Sequence, residues 1–132
     1  MSMATGRRRS GRSLPQDPRG ALPRTLTAVV DRPLGSAHPE HPDLIYPVNY
    51  GYVPGVFAGD GEEQDVYILG VGEPLERFTG RLIARIHRLD DVEDKWVLAP
   101  EGRHFTREEI AAAVAFQERY FRSEIELIEG KG

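Results

Sequence analysis

The sequence predicts a mainly β domain, a small closed β-barrel of the OB-like kind with one helix near its C-terminal end packed against it. Three observations support this fold class. Short β-rich runs separated by Gly, Pro and acidic turns recur from residue 26 to residue 99. One segment alone, after residue 105, has a convincing helical period. The chain has 132 residues, which suits a single core and not two.

Five segments are typical of strands, and they are residues 26–30, 44–57, 66–71, 80–89 and 95–99. The second contains Pro47 and Pro54, which confine it to an edge or a bent strand. The last two are joined by an acidic turn, so this turn lies at the tip of a hairpin.

The helix begins at a capping box, Thr106-Arg-Glu-Glu109, in which Thr106 accepts from the Glu109 amide and Glu109 reaches back. Apolar residues at helical spacing from Ile110 through Val114 and Phe121 to Ile125 predict a stripe that packs on the barrel.

Charge divides the chain. Residues 1–24 hold six arginines and one aspartate, a balance of +5, and their Ser, Gly and Pro content predicts a disordered basic tail. Because the whole chain carries −4, residues 25–132 carry −9 and form the predicted domain. An acidic domain argues against a nucleic-acid partner and favours cation binding.

Cysteine is absent, so disulfides and thiolate sites are excluded. No apolar run has the length of a membrane span or of a signal peptide, so no membrane partner is expected and a cytoplasmic location is the default expectation. The chain contains no P-loop, nucleophile elbow or dinucleotide fingerprint.

Two acidic clusters are the main candidates for chemistry. Asp60 and Asp65 bracket a turn, and Asp90, Asp91 and Asp94 lie on the hairpin tip. If the barrel brings these turns together, their mutual repulsion requires cations such as Mg²⁺ or Mn²⁺, which would polarise a phosphate. The alternative is that each cluster is a solvated turn.

Aromatic and histidine residues offer weaker signals. Tyr46, Tyr50 and Tyr52 alternate along one segment, which indicates either a tyrosine-lined core edge or a phenol that donates to a phosphate oxygen. His38 and His41 have His-x-x-His spacing, for which the sequence offers no further metal ligand.

These residues together resemble the soluble, β-barrel inorganic pyrophosphatases, of which this chain would be a short, divergent member. The resemblance runs from about residue 29 to residue 120. Its strongest part is Tyr46-Pro-Val-Asn-Tyr50-Gly-Tyr52 followed by Asp60-Gly-Glu62-Glu-Gln-Asp65, where the family has Asp-Gly-Asp-x-x-Asp.

The resemblance implies a set of roles. Catalytic residues are Asp65 and Glu62; metal ligands are Asp60, Asp65, Asp94 and Asp90 or Asp91; substrate contacts are Tyr50, Lys95, Tyr120 and His38; Asp31 takes the place of an active-site glutamate. His38 stands near a family lysine, and Phe121 replaces another. The cationic clamp on phosphate is therefore thinned, unless Arg32, Arg85 or Arg88 compensates.

The function that follows is Mg²⁺-dependent hydrolysis of inorganic diphosphate, a small-molecule phosphate substrate, by a metal-activated water. Two alternatives stay open: action on another phosphate ester or anhydride, or a catalytically silent module that binds phosphate or cations. The family assembles as hexamers, so a homo-oligomer is possible, although no interface can be identified from the sequence.

Overall fold

The computed structural model describes residues 25–89 and 93–128, which form six strands and one helix. The elements are β1 (Thr25–Arg32), β2 (Asn49–Phe57), β3 (Glu63–Ile68), β4 (Arg77–Arg88), β5 (Asp94–Ala99), α1 (Arg107–Glu118) and β6 (Ser123–Leu127). The predicted tail (1–24) and the hairpin-tip residues Asp90 and Asp91 lie outside the described residues.

Five strands close into a barrel in the order β1-β2-β3-β5-β4, and pairing of β1 with β4 completes the circle. All these pairs are antiparallel except β3 with β5. The long strand β4 pairs with β1 along its first part and with β6 along its second. The predicted closed barrel is therefore confirmed, with β6 as an added edge strand.

Strand alternation separates two apolar clusters. Val66 and Ile68 belong to a cluster with members from all five barrel strands, which is the barrel interior. The intervening Tyr67 points the other way, into a second cluster that includes Ile110 and Val114 of α1. The period of two thus places one face of β3 inside the barrel and the other beneath the helix.

Helix α1 begins as predicted, because the Thr106 and Glu109 side chains form both hydrogen bonds of the capping box. It ends at Glu118, however, earlier than the apolar stripe predicts. Ile125 lies in β6 opposite Ile86 of β4. The second part of β4 forms backbone hydrogen bonds with the segment that contains Ile125. This strand pairing outweighs the helical spacing of the apolar residues, so the segment is a strand and not a continuation of α1.

The positions of Asn49 and Gly51 show why the Asn-Tyr-Gly segment requires these two residue types. A Cβ on Gly51 would lie 1.9 Å from the carbonyl oxygen of Val29, so β1 approaches β2 where only glycine fits. The fully buried Asn49 accepts from the amides of Leu34 and Leu75 and donates to the Glu73 carbonyl, which ties two loops together.

No helix in the described part of the chain combines the length and the apolar character that crossing a membrane requires.

Candidate active site

A pocket of about 690 Å³ opens on the outer surface of the barrel, beside the C-terminal end of α1. The barrel strands contribute Arg32, Tyr50, Asp65, Arg88 and Lys95; the β1–β2 loop contributes His38, His41, Asp43 and Leu44; the end of α1 and the turn after it contribute Gln117, Arg119, Tyr120 and Phe121. Asp65 and Lys95 each lie two residues before a side chain that packs under α1. Because residues two apart on a strand share a face, both side chains lie on the outer surface of the barrel, where α1 packs.

Lys95 lies at the base of this pocket and is only 4% exposed. Its ammonium donates to Asp65 Oδ2 at 2.7 Å and to Glu93 Oε2 at 3.0 Å. Burial alone would lower the pKa of Lys95, but the adjacent Tyr50 and Asp65 outweigh burial and raise this pKa above its ordinary value. Lys95 is therefore a fixed positive charge at neutral pH.

Arg88 continues the ion-pair network behind Lys95. Its guanidinium donates from Nε and Nη2 to the two carboxylate oxygens of Glu118 at 3.1 and 2.7 Å, and from Nη1 to Glu93 at 3.2 Å. Both Arg88 and Glu118 are buried, and the guanidinium carbon lies 3.6 Å from the Phe121 ring centroid. Such a bidentate pair fixes the end of α1 against β4.

Three neutral side chains continue the network from Glu118 to Arg32 at the pocket base. Tyr67 donates to Glu118 at 2.7 Å and accepts from Gln117 at 2.7 Å, and Gln117 accepts from Tyr46 at 3.1 Å. Burial, followed by the Glu118 carboxylate, raises the pKa of Tyr67, which keeps this phenol protonated. The chain of contacts ends where Arg32 donates to Tyr46 at 3.0 Å.

Arg32 and Tyr50 face each other across the pocket base. The Arg32 guanidinium carbon lies 5.9 Å from the ring centroids of both Tyr46 and Tyr50. Among the described residues, Arg32 bonds Tyr46 and has no carboxylate within ion-pair distance. Burial raises the pKa of Tyr50, whose hydroxyl therefore stays a neutral donor.

Five of the sequence-predicted site residues line this pocket: Tyr50, Asp65 and Lys95 at its base, and His38 and Tyr120 at its rim. Of the three arginines considered as compensating cations, Arg32 and Arg88 line it as well. Arg85 instead pairs with Glu126 on β6 at 2.9 Å, outside the pocket.

The remaining predicted residues lie elsewhere or outside the description. Asp60 accepts from the Glu62 amide at 3.0 Å in the β2–β3 turn, and neither lines the pocket. The Asp94 side chain lies on the face of the β4–β5 hairpin that points away from the pocket, where its Oδ2 is 3.1 Å from His87 Nδ1. Asp31 lies on β1 and does not line the pocket; its side chain is largely exposed, and partial desolvation, opposed by the positive charge of Arg32, raises its pKa. Asp90 and Asp91 are outside the described residues.

Several residues of the site were not predicted from the sequence, among them Glu93, Glu118, Gln117 and Arg119. Glu93 was accessible to sequence reasoning, because residues two apart on a strand share a face and Glu93 precedes Lys95 by two. Glu118 contacts a residue 30 positions away, a pairing that no local pattern indicates.

A divalent ion of the kind implied by the resemblance needs several converging oxygen ligands. Among residues 25–89 and 93–128, no three Asp, Glu or His side chains gather around a common point suited to a metal ion. Asp65 and Glu93 are instead held by Lys95. The described side chains therefore do not by themselves fit a magnesium site.

This chain is similar to known proteins in its structure and not detectably in its sequence. No protein-family model matches the sequence, and no curated protein matches it. Solved structures do match, and they are inorganic pyrophosphatases. The one from Ehrlichia chaffeensis aligns with a TM-score of 0.63 at 17% identity, over 80% of this chain and 87% of that chain.

Two further structures agree. The inorganic pyrophosphatase from Neisseria gonorrhoeae has a TM-score of 0.59 at 20% identity, over 81% of this chain and 84% of its own. The inorganic pyrophosphatase from Thermus thermophilus has a TM-score of 0.58 at 16% identity, over 89% of this chain and 90% of its own. The chain therefore has the fold of the soluble inorganic pyrophosphatases, as its Tyr-Pro-Val-Asn-Tyr-Gly-Tyr and Asp-Gly-Glu-Glu-Gln-Asp segments predict.

Proposed function

We propose that this protein binds inorganic diphosphate, or a closely related phosphate anhydride, in the pocket around Asp65 and hydrolyses it. The observation that carries the proposal is the juxtaposition of Arg32, Lys95 and Tyr50 around a carboxylate, in a pocket on a pyrophosphatase fold. Cationic and phenolic donors that converge on one pocket are the chemistry that phosphate oxygens require.

Each donor has a distinct part. Arg32 has a planar fork that matches two phosphate oxygens, and one of its N–H groups already bonds Tyr46. Lys95 has three N–H groups: two bond Asp65 and Glu93, and the Tyr50 hydroxyl also lies beside the ammonium, so a phosphate oxygen would share this cation with them. Each charge-assisted bond of this type contributes about 1.5–3 kcal/mol to binding.

Two aspartates line the pocket, and we assign proton transfer to Asp65, which lies at the base beside Lys95, and not to Asp43 on the β1–β2 loop. Lys95 bonds Oδ2, which leaves Oδ1 to accept a proton from a water that attacks phosphorus. In the reaction the water oxygen bonds to one phosphorus, the bridging P–O bond breaks, and the second phosphate leaves with the bridging oxygen. Lys95 and Arg32 stabilise the charge that develops on the leaving phosphate. A requirement for Mg²⁺ or Mn²⁺ is a prediction from the resemblance and is tested separately.

The test is phosphate release from diphosphate by purified protein with Mg²⁺, with Mn²⁺ and with chelator. We expect release that Asp65→Asn reduces at least a hundredfold, whereas the exposed Glu101→Gln control retains it. Loss of release in chelator would support the metal requirement. Full turnover by folded Asp65→Asn protein would contradict the proposed role of Asp65.

A second candidate is binding without turnover. It is favoured by the pairing of the pocket cations Lys95 and Arg88 with Asp65, Glu93 and Glu118, which commits these carboxylates to cations. Calorimetric titration with diphosphate and with phosphate, in the presence and absence of Mg²⁺, separates the two. Saturable binding without phosphate release would favour the silent module.

A further inference from the structure

The pocket has more room than diphosphate needs. Its volume of about 690 Å³ lies within the roughly 300–1,000 Å³ of sites that enclose drug-sized organic molecules. A diphosphate ion that is held by Arg32 and Lys95 at the base would leave the rim unfilled. The size therefore leaves room for an organic part beyond the phosphates.

The rim differs from the base in chemistry and in origin. The base is built from barrel strands and carries the cationic donors. The rim is built from the β1–β2 loop and the turn after α1, and it presents the rings of His38, His41, Tyr120 and Phe121. Arg119 and Asp43 also line the rim, but four rings lie there, and a cationic base beneath a ring-rich rim matches a ligand with a phosphate end and an aromatic end.

Tyr120 is the ring best placed to meet such a group. It is 65% exposed, and its hydroxyl accepts from Arg119 at 3.2 Å. The Arg119 guanidinium carbon lies 5.2 Å from its ring centroid, which adds a cation beside the ring. An exposed tyrosine next to arginine is a stacking surface for a heterocycle.

His38 strengthens the contrast between rim and base. Its Nδ1 accepts from the Glu40 amide at 3.0 Å, so the proton of the neutral ring is on Nε2. Desolvation, followed by the positive charge of Arg32, lowers its pKa. His38 thus contributes a neutral ring and a donor at the place where the pyrophosphatase resemblance implies a lysine.

We propose that the ligand is a nucleoside diphosphate, with its phosphates on Arg32 and Lys95 and its base against Tyr120. The inference rests on the proposed function for the phosphate end and extends it to the organic end. Hydrolysis would then transfer the terminal phosphoryl group to water and release a nucleoside monophosphate that retains the bridging oxygen.

The test is calorimetric titration of the full chain with ADP, UDP and inorganic diphosphate, each with Mg²⁺ and with chelator. We expect at least one nucleotide to bind about tenfold or more tightly than inorganic diphosphate. Because stacking on an aromatic side chain contributes roughly 1–3 kcal/mol per base, Tyr120→Ala should weaken nucleotide binding about 5- to 150-fold. Tyr120→Phe should retain affinity, as should the control Phe57→Ala, an exposed ring outside the pocket.

The outcomes separate the two proposals. A loss in Tyr120→Ala that is at least fivefold greater for nucleotide than for diphosphate supports the inference. Equal losses for both ligands mean that Tyr120 acts on the phosphate end, which overturns the inference but retains the proposed function. Diphosphate binding without nucleotide binding has the same consequence. Binding of neither ligand by folded protein overturns both.

Discussion

Lys95 donates a 2.7 Å hydrogen bond to Asp65 from a buried position in the next strand of the sheet. The pair joins a potential proton acceptor to a permanent cation, and Glu93 holds the cation from its other side at 3.0 Å. The anion binding that we propose for this pocket therefore depends on how the two carboxylates share one ammonium group.

The first prediction distinguishes two adjacent carboxylates. Glu93→Gln removes one of the two anchors of Lys95, so we expect diphosphate turnover to fall about tenfold or more, since a charge-assisted bond is worth about 1.5–3 kcal/mol. Asp94→Asn should change turnover less than threefold, because Asp94 faces His87. Steady-state phosphate release measures both.

The urea concentration at the midpoint of unfolding measures the stability of both variants independently of their activity. Glu93→Gln should lower it, because Glu93 also accepts from Arg88, and Asp94→Asn should lower it less. A greater loss of turnover in Asp94→Asn than in Glu93→Gln would show that the family-like placement of Asp94 is the functional one.

The second prediction concerns the buried pair of Arg88 and Glu118. Arg88→Met leaves the Glu118 carboxylate buried without its cation, so the free energy of unfolding should fall by about 3–5 kcal/mol. Adding Glu118→Met should recover part of that loss, because the uncompensated charge is then removed. A double-mutant cycle by urea unfolding gives the coupling energy.

Arg85→Met is the matched control, because Arg85 pairs with Glu126 in a more exposed setting. That change should cost no more than about 1 kcal/mol. If Arg88→Met costs no more than the control, the network does not fix the end of α1.

Local sequence patterns predict the barrel well. The capping box at Thr106 and the antiparallel pairing of β4 with β5 depend on residues close together in the chain, and the strands follow from a period of two. The end of α1 was not predictable in this way, because the pairing of Ile125 with Ile86 joins positions far apart in the chain.

The site was predictable only in part, for a related reason. Asp65 and Lys95 follow from motif position, and both line the pocket. The resemblance implies Asp94 as a site residue, whereas strand alternation puts Glu93 on the face of Lys95. Contacts such as Tyr67 with Glu118 span 51 positions and become visible only in the folded chain.

The third prediction tests the close approach of β1 and β2. Gly51→Ala would place a methyl group 1.9 Å from the Val29 carbonyl oxygen, so the strands must separate. We expect a loss of several kcal/mol in stability, or failure to fold, measured by thermal unfolding. Gly72→Ala is the control, because nothing lies within 4 Å of its added Cβ. It should be neutral or stabilise by up to about 1 kcal/mol. Equal behaviour of the two variants would contradict the strand spacing.

The fourth prediction concerns pH and the β4–β6 contact. His87 bonds Glu126 through Nε2 at 2.7 Å and Asp94 through Nδ1 at 3.1 Å, and Arg85 also reaches Glu126. The hydrogen bond to Glu126, with a smaller contribution from Asp94, raises the pKa of His87 above 6.5. The bond to His87 lowers the pKa of Glu126 below 4.5.

The sign of the pH dependence follows from these directions. The stabilisation from His87 is complete below pH 6.5 and is lost as pH rises through the raised pKa. The stabilisation from Glu126 is present above pH 4.5 and is lost as pH falls through the lowered pKa. We therefore expect the cluster to contribute most between these two values, and by less than about 1 kcal/mol because both side chains are partly exposed.

Unfolding midpoints of wild type and His87→Gln at pH 5.5 and pH 8.5 measure this contribution. The wild type should exceed the variant at pH 5.5, and the difference should shrink by pH 8.5. Glu124→Gln, opposite His87 in the β4–β6 pairing, serves as the control for removal of an acidic charge from β6. A difference between wild type and His87→Gln that grows with pH would mean that the neutral imidazole, and not the imidazolium, holds β6 against β4.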